Sequence, residues 1–532
     1  MFKLTIGDPN RTEQPEPASF SRFVLPFAYR LTQYEPEPGL TSTWKISDSR
    51  IELTSRKQYL TPETQEVLFK RAKWFVKDHL EQIVLTLSNQ RQILADIKPQ
   101  LVLFEYPAEE NINNDDILHT GFLIIELWFC EGKQVFLDEL LEINELFRYW
   151  QEPWEGHRDE KKRDEPGKGY LRFICRNPMA ESYDYTQRWL EYLKSPIDIN
   201  IKGKQYQLSL LGNSDHNNND QGNNEKSWQI HADQRTYVWT CALIDRGGLA
   251  LQKAFGPLSP NSPFNATDYG HWIRFLNVDS PGSTPGYTHS SRKFERDWVK
   301  PLTYTRWEEY GTIYGFTPHS GAMLSEPCQE PPLWQHFGQM YFDQILLLLY
   351  LRTSLFRFSQ RLTDISCKAR SATNDDWDVF RQDFEKLRGD FTLFTNLYQF
   401  PLLSNQQQAI EMYSLAREAM DIDVLFKEIQ QEINGSHDYL VMVNEQRQTE
   451  MSTLLTVVAT GGLVIGVASG ILGMNVIIDK LRNNFLGCLL GDKQFLMDIS
   501  LSGIVLLICL LLMWLGVKYS KPIAKLIRSV SK

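Results

Sequence analysis

Residues able to carry chemistry concentrate near the C-terminal end of this sequence. No charged residue occurs between Glu450 and Asp479, and residues 454–475 read LLTVVATGGLVIGVASGILGMN. Thr449, Ser452 and Thr456 place hydroxyls at the start of this stretch, and Gly473, Met474 and Asn475 close it. Hydroxyl and amide oxygens set along an apolar wall offer lone pairs without fixed charge, which suits passage of a hydrated polar solute. Gly462, Gly466 and Gly470 recur every four residues. They share one helix face and permit either tight packing around a narrow passage or ordinary small-residue packing between membrane helices. Leu455 and Leu463 either constrict such a passage by dewetting or face lipid. Asp438 lies 37 residues before Asn475, about 55 Å along a helix. Taken by itself it reads as an exposed helix acid.

The rest of the chain offers less. It contains no P-loop, no G-x-G-x-x-G and no H-E-x-x-H, and His119, His157, His231 and His271 lack metal-ligand spacing. The seven cysteines form no C-x-x-C pair, so neither a zinc ribbon nor a disulfide framework is expected, and buried free thiols in a reducing compartment are the default. An enzyme is therefore not expected. Trp150, Trp154, Trp228, Trp239 and Trp272, with Arg158, Arg163, Arg235 and Arg274, read either as an aromatic, cationic pocket for a nucleotide or as core tryptophans with surface arginines.

Composition bounds these readings. The length of 532 residues suits about three or four structural units. A hydrophobic share of 42% supports a real core, and a net charge of −10 argues against nucleic acid as a partner. The charge is uneven: Lys518, Lys521, Lys525, Arg528 and Lys532 crowd a tail without acids.

The elements that must position the apolar stretch follow from periodicity. Residues 1–50 are rich in Pro and poorly periodic. Thr61, Pro62 and Glu63 mark a helix start, and the apolar spacing from Val67 to Leu87 predicts that the helix runs to about Ile97. Residues 101–106, 117–129, 167–175 and 237–244 read as strands, with 271–278 as a further one; 135–150 reads as a helix. The stretches 155–168, 213–226 and 279–291 read as interruptions. After Pro332 the pattern is helical: 334–363, with a dense apolar segment at 345–351 too short to span a bilayer, then 375–398. From Ser404 one rod of roughly 100 Å is expected to reach Gly473, with Ile422, Leu425, Ile429, Ile433, Leu440 and Val443 along a seam. The uncharged runs 454–475 and 499–517 are each long enough to cross a bilayer.

The expected organisation is an α/β domain with a mixed or antiparallel sheet over 1–330, stalk-associated helices over 331–403 and a stalk helix over 404–453. Two transmembrane helices, 454–475 and 499–517, flank a loop at 476–498 and precede a basic tail at 518–532. The bases after Val517 place that tail in the cytoplasm. The start of the chain lacks a signal peptide's apolar core. Both termini are therefore expected in the cytoplasm of a protein embedded in the inner membrane, with the lipid bilayer as a partner.

A stalk helix, a first span closing on Gly473-Met474-Asn475, a loop, a second span and a basic tail together resemble the CorA family of magnesium transporters. The resemblance covers about the last 200 residues. It implies a homopentamer whose first spans line a pore for Mg²⁺ or a related divalent cation, with Gly473, Met474 and Asn475 as a selectivity ring. Thr449, Ser452, Leu455, Leu463 and Gly466 then become candidates for pore wall and gate, and Asp438 for a regulatory cation ligand. The chemistry is consistent: Mg²⁺ dehydrates reluctantly, and a ring of Asn475 amides accepts hydrogen bonds from its retained waters. A helix C-cap is the alternative role of this tripeptide. The loop departs from the family's acidic pattern: Asp479, Asp492 and Asp498 are balanced by Lys480, Arg482 and Lys493. The first 330 residues exceed what the family carries. This raises a second expectation, a CorA-like effector opened by a nucleotide second messenger in CRISPR-associated antiviral defence.

Overall fold

A computed structural model describes residues 3–6, 16–33, 44–47, 59–77, 81–104, 119–130, 134–148, 170–173, 199–201, 204–209, 228–230, 235–244, 266–279, 292–308, 311–327, 332–371, 377–399, 402–483 and Leu511. An α/β sheet domain comes first and helices follow it. By its contacts the chain divides into two units, Met1–Ile429 and Gln430–Lys532.

The sheet is built on a strand that the sequence pattern hid. β1 (Phe20–Gln33) lies in what reads as a Pro-rich leader. It pairs with β6 (His119–Phe129) from Phe20↔Trp128 to Tyr29↔His119, all antiparallel. Outward from β6 come β5 (Gln92–Leu103), β3 (Lys73–Lys77) and β2 (Trp44–Ile46). On the other side of β1 come β11 (Tyr237–Leu243), β14 (Ser320–Ser325), β13 (Ile313–Thr317) and β12 (Thr303–Tyr304). β4 (Glu81–Thr86) pairs with β5 and β7 (Tyr170–Phe173). β8 (Ile199–Ile201) pairs with β9 (Lys204–Ser209), and both β9 and β10 (Trp228–Ile230) pair with β1. Among the described pairs only β11–β14 is parallel, so the sheet is mixed.

Helices cover both faces. Phe23, Leu25, Phe27 and Tyr29 of β1 join a core with α2 (Leu137–Arg148) and α3 (Ala266–Asn277). Ser21 Oγ donates to Asn144 Oδ1 of α2 at 2.7 Å. The alternate residues of β1 and β11 face a helical run made of α5 (Leu333–His336), a π-turn (Phe337–Tyr341) and α6 (Phe342–Ser371). There Trp239 stacks on Phe337 at 3.9 Å and Phe104 on Tyr350 at 4.5 Å.

The π-turn displaces backbone carbonyls from regular helix pairing, and the sheet supplies their donors. Trp239 Nε1 donates to Phe337 O at 3.1 Å, and the Arg22 guanidinium donates to Gly338 O. Arg22 is buried against Glu126 at 2.9 Å, and Gln100 Nε2 donates to the other Glu126 oxygen at 2.6 Å. The pair therefore ties β1, β5 and β6 to the start of α6.

Two sequence expectations fail here. The helix expected over 62–97 is α1 (Pro62–Gln65), capped by Thr61, with a π segment to Arg71; strands β3, β4 and β5 follow. Burial alternates at Ile93, Ala95 and Ile97, and this two-residue period prevails over the coincidental three- and four-residue spacing upstream. The strand expected over 271–278 is helix α3. Residues 272–276 are all buried, so no polar face discloses the helical period. The expected interruptions 155–168, 213–226 and, apart from Asp279, 279–291 lie outside the described residues.

Candidate functional site

The candidate site is carried by one long helix and by the elements that launch it. α7 (Trp377–Tyr398) packs beside α6, with Phe358 edge-on to Phe391 at 5.2 Å. α8 (Gln407–Ala419) is pinned to β12 through Glu411, which accepts from the Tyr304 hydroxyl and lies 2.9 Å from the guanidinium of Arg306, just past the strand. α9 then runs unbroken from Ile422 to Asn483, about 93 Å at 1.5 Å per residue.

The rod expected from Ser404 therefore starts later. Asp421 has φ 54°, a left-handed residue that ends α8 by the usual C-terminal geometry. Arg417 bridges the break, with its guanidinium 2.6 Å from Asp423. Ile422, Ile429, Ile433 and Leu440 of the expected seam are buried, and Leu425 and Val443 are half-buried.

Beyond Leu440 the helix changes character. Its portion Ile422–Val467 contains a window of mean hydropathy 1.6, none of it buried within the chain. Leu455 is 72% exposed and Leu463 67%. α9 is thus a helix long and apolar enough to cross a membrane. The second expected span, 499–517, lies outside the described residues apart from Leu511.

Hydroxyls along this helix form a ladder. Thr449 Oγ1 donates to Glu445 O at 2.7 Å, Thr453 to Thr449 O at 2.7 Å, Thr456 to Ser452 O at 2.8 Å and Thr460 to Thr456 O at 2.7 Å. With each proton committed to the backbone, the oxygen's lone pairs remain as outward acceptors. Spacings of four, three and four residues keep these four threonines within an arc of about 60°. Thr453 and Thr460 were missed in the sequence reading, although this spacing is plain there.

The helix brings some of the sequence candidates together and separates others. At 100° per residue Asp438, Thr456 and Leu463 fall within about 40° of Thr449, and Ser452 within about 60°. Leu455 and Gly466 lie roughly 100–120° around to one side, and Asn475 about 80° to the other. Asp438 is exposed, and among the described residues no group of three His, Cys, Asp or Glu is placed to hold a metal.

The helix does not stop at the tripeptide. Residues 473–475 are helical, as is the chain to Asn483, and Gly473 is not among the residues of positive φ. Val476, Ile477 and Ile478 continue the apolar helical stretch, and no Pro or left-handed residue interrupts it. The side chains of Gly473, Met474 and Asn475 lie outside the described part.

The glycines of α9 differ from those of the sheet domain. A Cβ added at Gly121, Gly315 or Gly321 would stand 2.2–2.5 Å from Phe27, Leu276 or Trp239. At Gly462, Gly466 and Gly470 it would meet nothing within 4 Å. Nothing in the described chain requires glycine at these three places.

Of the tryptophan–arginine grouping, Trp239, Trp272 and Arg274 lie in the core and Arg235 is half-buried. Trp239 is committed to Phe337, and Trp272 Nε1 donates to Thr303 Oγ1 at 3.0 Å; Arg274 is buried. Trp150, Trp154, Arg158 and Arg163 lie outside the described residues. His271 Nε2 sits 3.0 Å from Asp138, whose carboxyl this hydrogen bond holds below the usual carboxylate range. His157 and His231 lie outside the described residues.

No family model, no curated protein and no solved structure matches this chain.

Proposed function

We propose that the chain is a CorA-like membrane channel for Mg²⁺ or a related divalent cation, a homopentamer whose pore is lined by α9. The observation that carries this reading is the apolar, uncovered stretch of α9, with its hydroxyl ladder and its glycines in open space. Each glycine inside a helix costs roughly 0.5–1 kcal/mol relative to alanine. Three of them with no described neighbour within 4 Å of an added Cβ are accounted for by close approach of a second copy. The threonine arc then faces the axis, where its oxygens accept from the waters of a hydrated cation. Leu463 forms an apolar narrowing and the Asn475 amides a terminal ring. Asp438, on the same arc, binds a regulatory cation at the stalk. A second span at 499–517 completes the membrane part, with both termini in the cytoplasm.

Reconstituted in liposomes, the Asn475→Ala variant is expected to lose cation preference. Thr456→Val is expected to slow flux without changing assembly. Unchanged flux and preference in Asn475→Ala would overturn the assigned role of the amide ring.

The 14-stranded sheet domain favours a second reading. In it the same pore is a ligand-gated effector, opened by a nucleotide second messenger in CRISPR-associated defence. Nucleotide-dependent flux in the same liposomes supports this reading; flux indifferent to nucleotides removes it.

A further inference from the structure

Strand pairing along one edge of β1 leaves a gap. β11 pairs with β1 through Phe20–Val24, and β10 resumes at Phe27. Between them stands Pro26, which has no backbone N–H to offer. Against this gap, on the face covered by α6, lies a cavity of about 210 Å³.

The floor of the cavity is buried and mostly apolar: Val24, Phe122 and Leu349. Its rim includes two half-buried guanidiniums, Arg235 and Arg352, and among the described residues no Asp or Glu lines it. Within this lining sits Tyr237, 5% exposed, whose hydroxyl has no hydrogen-bond partner among the described residues. A buried hydroxyl without a partner costs free energy, so it marks a place where a partner is missing. Burial holds this phenol protonated, far above the usual tyrosine range, and the nearby charge of Arg352 opposes that shift. Tyr237 therefore offers a donor next to a cation.

We propose that this cavity binds a small organic carboxylate, its oxygens accepting from the Tyr237 hydroxyl and the Arg352 guanidinium, its apolar body resting on Val24, Phe122 and Leu349. Size sets the class. A dry cavity of about 150 Å³ takes benzene, and pockets for larger ligands span about 300–1,000 Å³. One ring or short chain with one carboxylate fills the space. The site belongs to the sheet domain and stands whether or not α9 forms a pore.

The test is calorimetry on the full chain in lipid nanodiscs, with benzoate as the probe and benzamide as its neutral counterpart. Benzoate is expected to bind once per chain, and benzamide at least about tenfold more weakly, because a charged acceptor is lost. Tyr237→Phe is expected to weaken benzoate about tenfold while leaving the ligand-free melting midpoint unchanged or higher, since it removes a hydroxyl with no partner. Arg352→Gln is expected to weaken benzoate but not benzamide. The proposal is overturned if benzoate does not bind, or if Tyr237→Phe lowers the ligand-free midpoint and leaves affinity intact. Adenosine monophosphate binding in preference to benzoate overturns it as well.

Discussion

Two apolar helical stretches of this chain are alike in composition and opposite in circumstance. Residues 345–351 of α6 are buried between the sheet and α7, with Leu346, Leu347 and Leu348 at 0% exposure and Tyr350 packed on both Phe104 and Tyr398. Among the described side chains of the apolar stretch of α9, none is buried. The first is seven residues long between Asp343 and Arg352; the second runs without charge from Glu450 to Asp479. Length and flanking charge separate a core helix from a membrane candidate, because a short apolar run only needs a neighbouring layer whereas a long one needs an apolar medium.

The contrast is broken most severely at the polar tie beneath α6. Arg22→Met leaves Glu126 buried without its cation and is expected to cost about 3–5 kcal/mol in denaturant unfolding. Adding Glu126→Leu should restore much of this loss. Leu347→Ala is expected to cost about 2–5 kcal/mol by the same measurement, whereas Leu463→Ala should stay within about 0.5 kcal/mol. Equal losses at the two leucines would mean that α9 is covered after all. Val464→Arg tests the medium: about 2.5–3.5 kcal/mol against insertion at a span's centre, read as transfer of α9 from the carbonate-resistant to the extractable fraction. A smaller effect belongs to Gly466→Ala, which should stabilise the helix by about 0.5–1 kcal/mol and reduce the cross-linked oligomer. An unchanged oligomer argues against close packing at that face.

The smallest expected effect is one of pH. Burial holds the His336 imidazole below the usual histidine range. The unfolded chain therefore takes up that proton first as pH falls below about 6.5. Stability contributed by keeping His336 neutral is full above that pH and is lost as pH drops through the folded value. A His336→Gln variant should show a flatter melting midpoint between pH 7 and 5, and an unaltered slope would assign the dependence to other groups.

What the sequence disclosed follows the same physical divide. Helix α7 and the later half of α6 were legible because one face of each stays exposed. The strand β11 was legible as a short run of aromatic and β-branched residues. β1 was not: with helices on both faces its apolar residues do not alternate, and Pro26 breaks the pattern at a point where strand pairing lapses. α3 failed for a related reason, being buried nearly all round. At the candidate site the hydroxyl spacing was there to be read, while the continuation of α9 past Asn475 was obscured by residues that commonly end helices. The Tyr237 cavity was invisible because its lining converges from β1, β6, β11 and α6.

The pairing of Phe20 with Cys241 also dictates an order of manufacture. β1 leaves the ribosome early and must wait for more than two hundred further residues before its β11 neighbour exists, and longer for β14 to dock beside that. Yet the sheet is complete at Ser325, roughly 130 residues before Leu454. At about 5–20 residues per second the sheet has on the order of 6–26 s to close before the apolar stretch of α9 is made. The nascent chain can thus finish its most long-range task while its greasiest segment is still unsynthesised.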